Sequence, residues 1–237
     1  MVSPPEIGTA DPAGGPRGGA SPSSRLSHSC LARRQRIRAR VPVPHPAVRA
    51  RSSPRRLRAE VTERLIPVLE HQRGLDIDPQ HCWSQYARDR LAGGWDHARK
   101  AMASPGPQGL GFVASIDALF TSFGQVELPT GDLVHGDFRL DNILLGSNRV
   151  AAVIDIEALG SGTRAFDYAT LLTVDDVDPA GWELTRLAGE QVAGPGVLAH
   201  CFALVALDLA DFVRQRVPER LPFILGPLRD RAEALLP

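Results

Sequence analysis

Cysteine is scarce in this sequence: Cys30, Cys82 and Cys201 are odd in number and far apart. They imply no disulfide framework, and a cytoplasmic, reducing compartment is the expectation. Uninterrupted apolar runs are also missing. The longest stretch, Val197 to Val213, is broken by His200, Asp208 and Asp211, and it reads as too short and too polar to span a bilayer, so no membrane partner is expected. The first residues have no apolar core of the signal-peptide kind, which argues against secretion. Lysine is nearly absent, with Lys100 the only one, and arginine supplies the rest of the basic charge. Residues 1–58 contain no aromatic side chain. That removes the means of building a core there and the platforms on which nucleic-acid bases stack.

What is present is unevenly distributed. The 237 residues carry no net charge, but residues 1–58 hold 12 Arg and only two acids, Glu6 and Asp11. The remainder is acidic, so a basic arm precedes an acidic body that favours cationic ligands weakly at physiological salt. The arm also contains nine prolines and many Gly and Ser, with no helical or strand periodicity. Residues 1–56 are therefore expected to be a disordered arm and residues 57–237 a folded unit. An Arg-rich transit peptide fits the composition, but the prolines oppose an amphipathic helix. The Gly-rich run Gly14–Gly19 has no strand beside it and reads as flexible chain rather than a nucleotide loop.

From Leu57 apolar residues recur at spacings of three and four: Leu57, Val61, Leu65, Ile66 and Leu69. This predicts a helix ending near Gly74. Further helices are expected at about 83–91 and 112–123. The period then switches to two, with short strands at Leu133-Val134, Ile143–Leu145 and Val150–Ile154 and a turn at 146–149. After Gly160-Ser161-Gly162 helices are expected again at 166–172, 182–192 and 197–213. A terminal helical region, 221–236, is expected to be broken by Pro222 and Pro227. Phe166, Leu171, Leu172, Leu204, Leu207 and Phe212 should form the core, and no internal repeat is visible.

The stretch with the most chemistry is Leu133-Val134-His135-Gly136-Asp137-Phe138-Arg139-Leu140-Asp141-Asn142-Ile143, followed after the turn by Val153-Ile154-Asp155-Ile156-Glu157. If the two strands form an antiparallel hairpin, Asn142 begins one and Asp155 ends the other, so an amide oxygen and a carboxylate meet at the mouth of a sheet. Both are hard oxygen ligands suited to Mg²⁺. Asp137, five residues before Asn142, lies on the loop feeding the first strand and can face the same point. A carboxylate beside a metal-bound phosphate can accept the proton of an attacking hydroxyl. Taken singly, Asp141 and Asp167 read equally well as turn or cap residues. Asp208 and Asp211 share a helical face and read as solvated charge, with contact to a cationic substrate as the alternative. His81-Cys82 lacks partners at zinc-ligand spacing.

This pattern resembles the aminoglycoside phosphotransferase and choline kinase family. The resemblance rests on His135-Gly136-Asp137, on Asn142 five residues later, on Asp155 thirteen residues after that, and on Phe166-Asp167-Tyr168-Ala169. It is strong over residues 131–172 and weaker from about 57 to the C-terminus. It implies an α+β, protein-kinase-like C-terminal lobe, mostly helical, with small antiparallel hairpins carrying the catalytic loop. It implies ATP as phosphate donor, Mg²⁺, and a small hydroxyl-bearing acceptor. By the resemblance, Asp137 is the catalytic base or the residue that orients the hydroxyl, Arg139 stands near the transferred phosphate, and Asn142 and Asp155 bind the metal. His135 and Asp167 support the loop structurally, and Glu157 is a candidate either to stand behind the metal ligands or to hold a second metal.

Such kinases also use a strand-rich lobe whose lysine contacts the phosphates. Residues 1–58 have neither strand periodicity nor lysine. A 5′-truncated or frame-shifted gene is one explanation, and a catalytically silent remnant is the alternative function. A nucleic-acid-binding protein using the basic arm is a third reading, disfavoured by the missing aromatics.

Overall fold

In the computed structural model of the protein, residues 52–91, 96–103 and 106–237 are described. The disordered arm expected over residues 1–56 therefore falls, up to residue 51, outside the described residues. In chain order the described elements begin with α1 (Ala59–His71), α2 (Trp83–Asp89), α3 (Asp96–Ala103) and α4 (Pro107–Phe123). The strands follow as β1 (Asp132–Val134), β2 (Ile143–Leu145), β3 (Val150–Val153) and β4 (Gly160–Gly162). The chain closes with α5 (Ala165–Leu172), α6 (Pro179–Ala193), α7 (Pro195–Arg216) and α8 (Leu221–Ala234). The described chain is thus mostly helical, with two small antiparallel sheets.

The helices follow their apolar stripes. In α1, Thr62, Leu65 and Leu69 are buried at spacings of three and four. Helix α6 starts at Asp178, whose side chain accepts the Gly181 N–H at 2.6 Å, with Pro179 in the first turn. A carboxylate cap accepts one open amide at a helix start, and a first-turn proline has no amide to leave open. Helices α5 and α7 form the centre, with α5 also packed on α6 and α4 on α8. All eight residues of α5 are buried, as are Val197 through Leu204 on α7. Phe166, Leu171, Leu172, Leu204 and Leu207 lie in this core, and Phe212 packs against it half-buried.

The structure departs from the sequence-based expectation in four places. Helix α3 was not anticipated, because only Ala98 and Met102 mark its buried side. Gly160–Gly162, to which the sequence assigned no element, is a strand paired with β1. Helix α8 runs through Pro227 unbroken; proline removes only the one bond to the carbonyl of Phe223, and the burial of Ile224, Leu225 and Leu228 on the same helix holds the turn in place. Helix α7 extends to 22 residues and is long and apolar enough to cross a membrane by length and composition, contrary to the reading of its central stretch, but most of it is buried among the other helices.

Two hairpin-like pairings position the site. Strands β2 and β3 pair with Ile143 opposite Val153 and Leu144 opposite Ala152. Strands β1 and β4 pair with Val134 opposite Gly160 and Asp132 opposite Gly162. The loop from 135 to 142 therefore leaves one sheet and enters the other, while the turn from 154 to 159 returns between them. Before α1, Ser52 bridges Leu145, with its carbonyl accepting the Leu145 N–H at 3.2 Å, and Leu57 is fully buried beside Val177.

Candidate functional site

Strand pairing brings the three candidate residues together. The Ile154 N–H donates to the Asn142 carbonyl at 2.8 Å, one step beyond the Ile143–Val153 pair, so Asp155 follows directly beside Asn142. From the other side, the Asn142 side-chain amide donates to the Asp137 carbonyl oxygen at 2.9 Å and to Asp137 Oδ2 at 3.2 Å. A short 3₁₀ turn, Leu140–Asn142, makes this possible by folding the loop back on itself. With its NH₂ group facing Asp137, the Asn142 amide turns its oxygen the other way as an acceptor.

Asp155 is exposed and sits at φ 62°, ψ 54°, the only non-glycine residue with positive φ among the described residues. A left-handed conformation costs an ordinary residue about 1–2 kcal/mol, less for aspartate, and strain of this kind concentrates at functional sites. The conformation ends β3 abruptly and begins the 3₁₀ turn Ile156–Ala158.

Behind these residues lies a buried anchor. Asp167, on the first turn of α5, is fully buried. Its Oδ2 accepts the His135 N–H at 2.8 Å and the Gln72 side-chain amide at 2.9 Å, and its Oδ1 accepts the Gly136 N–H at 3.0 Å. Burial pushes the Asp167 carboxyl above its ordinary range, while the backbone amides of His135 and Gly136 and the Gln72 amide pull it back. His135 then joins the loop to the metal-ligand turn. Its Nδ1 accepts the Asp137 N–H at 3.3 Å, which leaves Nε2 protonated to donate to the Ile154 carbonyl at 3.1 Å. One imidazole thus touches the residues on either side of the Asn142–Asp155 junction.

The remaining candidates are less embedded. The Arg139 carbonyl accepts the Asn142 N–H at 2.9 Å, and its guanidinium makes no ion pair among the described residues. Glu157 is exposed on the turn after Asp155. Asp208 is bound into the fold: it accepts from Tyr86 Oη at 2.7 Å and Arg90 at 2.9 Å, and burial pushes its carboxyl up. Asp211 pairs with Arg214 at 2.8 Å on its own helix. His81 bonds Asp78.

Two supporting residues escaped the sequence reading. Gln72 lies just past α1 and looks like an ordinary helix terminus. Trp83 opens α2 and carries no local sign that its indole lies over Gly136, 53 positions along the chain.

The donor set fits Mg²⁺. No cluster of three or more His, Cys, Asp or Glu side chains able to hold a metal occurs among the described residues, which weighs against an all-protein cage. One amide oxygen and one carboxylate at an exposed strand end are the sparse set that Mg²⁺ completes with water and substrate phosphate.

None of the curated proteins matches this chain in sequence. Residues 25–201, well over half the chain and including the whole 135–167 site, match the phosphotransferase enzyme family (APH), and the chain belongs to that family.

Proposed function

We propose that the chain transfers the γ-phosphoryl group of ATP to a hydroxyl of a small molecule, an aminoglycoside-like compound or another small metabolite. The observation that carries this reading is the Asn142 bridge: one side chain bonds the candidate base Asp137, while its backbone carbonyl holds the residue before Asp155. In the proposed reaction the acceptor oxygen bonds to the γ-phosphorus as the bond to the ADP oxygen breaks, and Asp137 takes the hydroxyl proton and passes it to solvent. Asn142 and Asp155 would hold Mg²⁺, which supplies neutralising charge on the phosphates when bound. Arg139, two residues past Asp137, offsets charge that develops on the transferred group. The proposed partner is thus a small hydroxyl compound in the cytoplasm, with neither nucleic acid nor membrane required.

A second reading, binding without turnover, has one observation in its favour. The only lysine, Lys100, lies on α3, which packs against α4 and α7. Phosphate contacts from this chain's described residues then fall to arginine, which is not an interchangeable substitute.

Calorimetry of the purified chain with Mg²⁺ and ATP tests binding. ADP release with a panel of aminoglycosides, choline, homoserine and sugar alcohols tests turnover. Release that disappears in Asp137→Ala is the expected result. Binding with no release for any acceptor favours the second reading, and absence of binding overturns both.

A further inference from the structure

We propose that Trp83 is a positioning residue of this site: its indole sets the separation between the loop bearing Asp137 and the turn bearing Asp155. The inference rests on the phosphotransferase reading for its purpose, and on four contacts for its geometry.

The first contact is with the loop. Gly136 precedes Asp137 and has φ +77°. A Cβ built there would lie 2.3 Å from Trp83 Cζ2 and 2.6 Å from Cε2. The indole therefore rests directly on the loop backbone, and only glycine leaves room for it. The second contact is with the metal-ligand turn, where Trp83 Nε1 donates to the Ala158 carbonyl at 3.0 Å. Ala158 closes the 3₁₀ turn that Asp155 opens. The same Ala158 oxygen is 2.8 Å from the position of the Gly136 Cβ, so loop, turn and indole meet at one point. The third contact is with Phe166, the neighbour of the Asp167 anchor, at 6.0 Å between ring centroids. The fourth is an edge-on contact with Tyr86 at 5.8 Å, one turn along α2.

The base that carries the indole is itself held. Tyr86 Oη bonds Asp208 on α7 at 2.7 Å. Ser84 Oγ bonds the Pro129 carbonyl and accepts the Thr163 N–H. The His81 carbonyl accepts the Ser161 N–H at 2.9 Å, and a Cβ at Gly160 would lie 2.2 Å from that oxygen. Glycine at 160 and 162 lets the start of α2 press onto β4. A wedge anchored to the helical body thus reaches between the two connections, and its polar tip bonds the one that carries Asp155. His135 ties the same two segments from the Ile154 side of Asp155, so Trp83 and His135 bracket the turn.

The test uses the full chain and the Mn²⁺·ATP complex, followed by water-proton relaxation, with thermal unfolding recorded for every variant. Trp83→Phe keeps a ring over Gly136 and removes the N–H. Trp182→Phe is the control, since the Trp182 indole N–H is buried without a partner and α6 lies outside the site. The Nε1–Ala158 bond holds the turn in its binding geometry, so losing it lowers the binding-ready fraction by roughly threefold to tenfold. The expected result is Mn²⁺·ATP binding weakened about threefold to tenfold in Trp83→Phe and unchanged in Trp182→Phe, while both unfold cooperatively and Trp83→Phe melts within about 1–6 °C of wild type.

Wild-type binding that is lost in Asp155→Asn but unchanged in Trp83→Phe overturns the proposal and leaves the phosphotransferase reading standing. Absence of binding by the wild type overturns both. Should Trp83→Phe not fold, Trp95→Phe/Trp182→Phe leaves Trp83 as the sole indole. Its emission must then fall on adding paramagnetic Mn²⁺·ATP but not on adding ATP alone. Emission unchanged at saturating Mn²⁺·ATP overturns the proposal.

Discussion

Replacing Asp167 by asparagine changes one oxygen to an amide nitrogen and nothing in size, yet the structure predicts a substantial loss. Oδ2 serves two donors, the His135 N–H and the Gln72 amide, and Oδ1 serves one, the Gly136 N–H. Asparagine has a single acceptor atom. If its oxygen occupies the Oδ2 position, its NH₂ group faces the Gly136 N–H. If its oxygen occupies the Oδ1 position, the His135 N–H is orphaned, although Gln72 can turn its amide, whose Oε1 is buried without a partner, to accept from the new NH₂.

Either way one backbone N–H in a buried setting loses its acceptor, at about 1–3 kcal/mol, and the surviving bonds lose their charge assistance, at about 1 kcal/mol each. Relief from burying a charge offsets part of this. The expected net destabilisation is about 2–3 kcal/mol, or roughly 4–12 °C in Tm for a domain of this size. Asp167→Ala leaves all three donors without it and should cost about 3–5 kcal/mol. Thermal unfolding followed by circular dichroism measures both. A Tm for Asp167→Asn within about 1–2 °C of wild type would show that the carboxylate is not the anchor of the His135-Gly136 backbone.

Asp155→Gly removes the left-handed strain at φ 62° as well as the ligand, so its Tm should stay level or rise while Mg²⁺·ATP binding by calorimetry is lost; a clear fall in Tm contradicts the strain argument. Gly136→Ala must displace the Trp83 ring and adopt a positive φ, and urea unfolding should show a loss of about 2–5 kcal/mol; near-neutral behaviour refutes the close contact. His200, whose Nδ1 lies 2.8 Å from the Gly196 carbonyl and whose ring is set edge-on to Phe120, is held below its ordinary 6.5 by burial. A depressed histidine leaves stability intact above 6.5 and lowers it as the pH falls through that value toward the folded-state one. Wild type should therefore lose stability over that interval more steeply than His200→Phe, and equal pH slopes refute this.

The hairpin, and with it the chain positions of Asn142 and Asp155 at its mouth, was legible in the sequence because the information is local. Ile143–Leu145, a four-residue turn and Val150–Val153 fix the pairing, and the pairing fixes where Asn142 and Asp155 meet. Most helices were legible for the same reason, with apolar stripes three and four apart. The failures share a different cause. Strand β4 is Gly-Ser-Gly and shows no apolar signal, because what it contributes is the absence of side chains: a Cβ at Gly160 would strike the His81 carbonyl. Gln72 and Trp83 were invisible for the complementary reason, since their partners Asp167 and Gly136 lie 95 and 53 positions away in the chain.

The residues proposed to touch substrate and metal sit on a short, locally encoded hairpin and the loop that feeds it, which are marginal by themselves. Their relative placement is imposed from outside it, by one buried carboxylate on α5, one imidazole and one indole, each bonded to backbone rather than to the reacting groups. A chain could keep Asp137, Asn142 and Asp155 unchanged and still lose activity through Asp167, His135 or Trp83. Variants at those three positions therefore separate a kinase-like sequence from a kinase-like site: full Mg²⁺·ATP binding retained in all of them would mean the hairpin holds its own geometry, and graded loss would mean the helical body does.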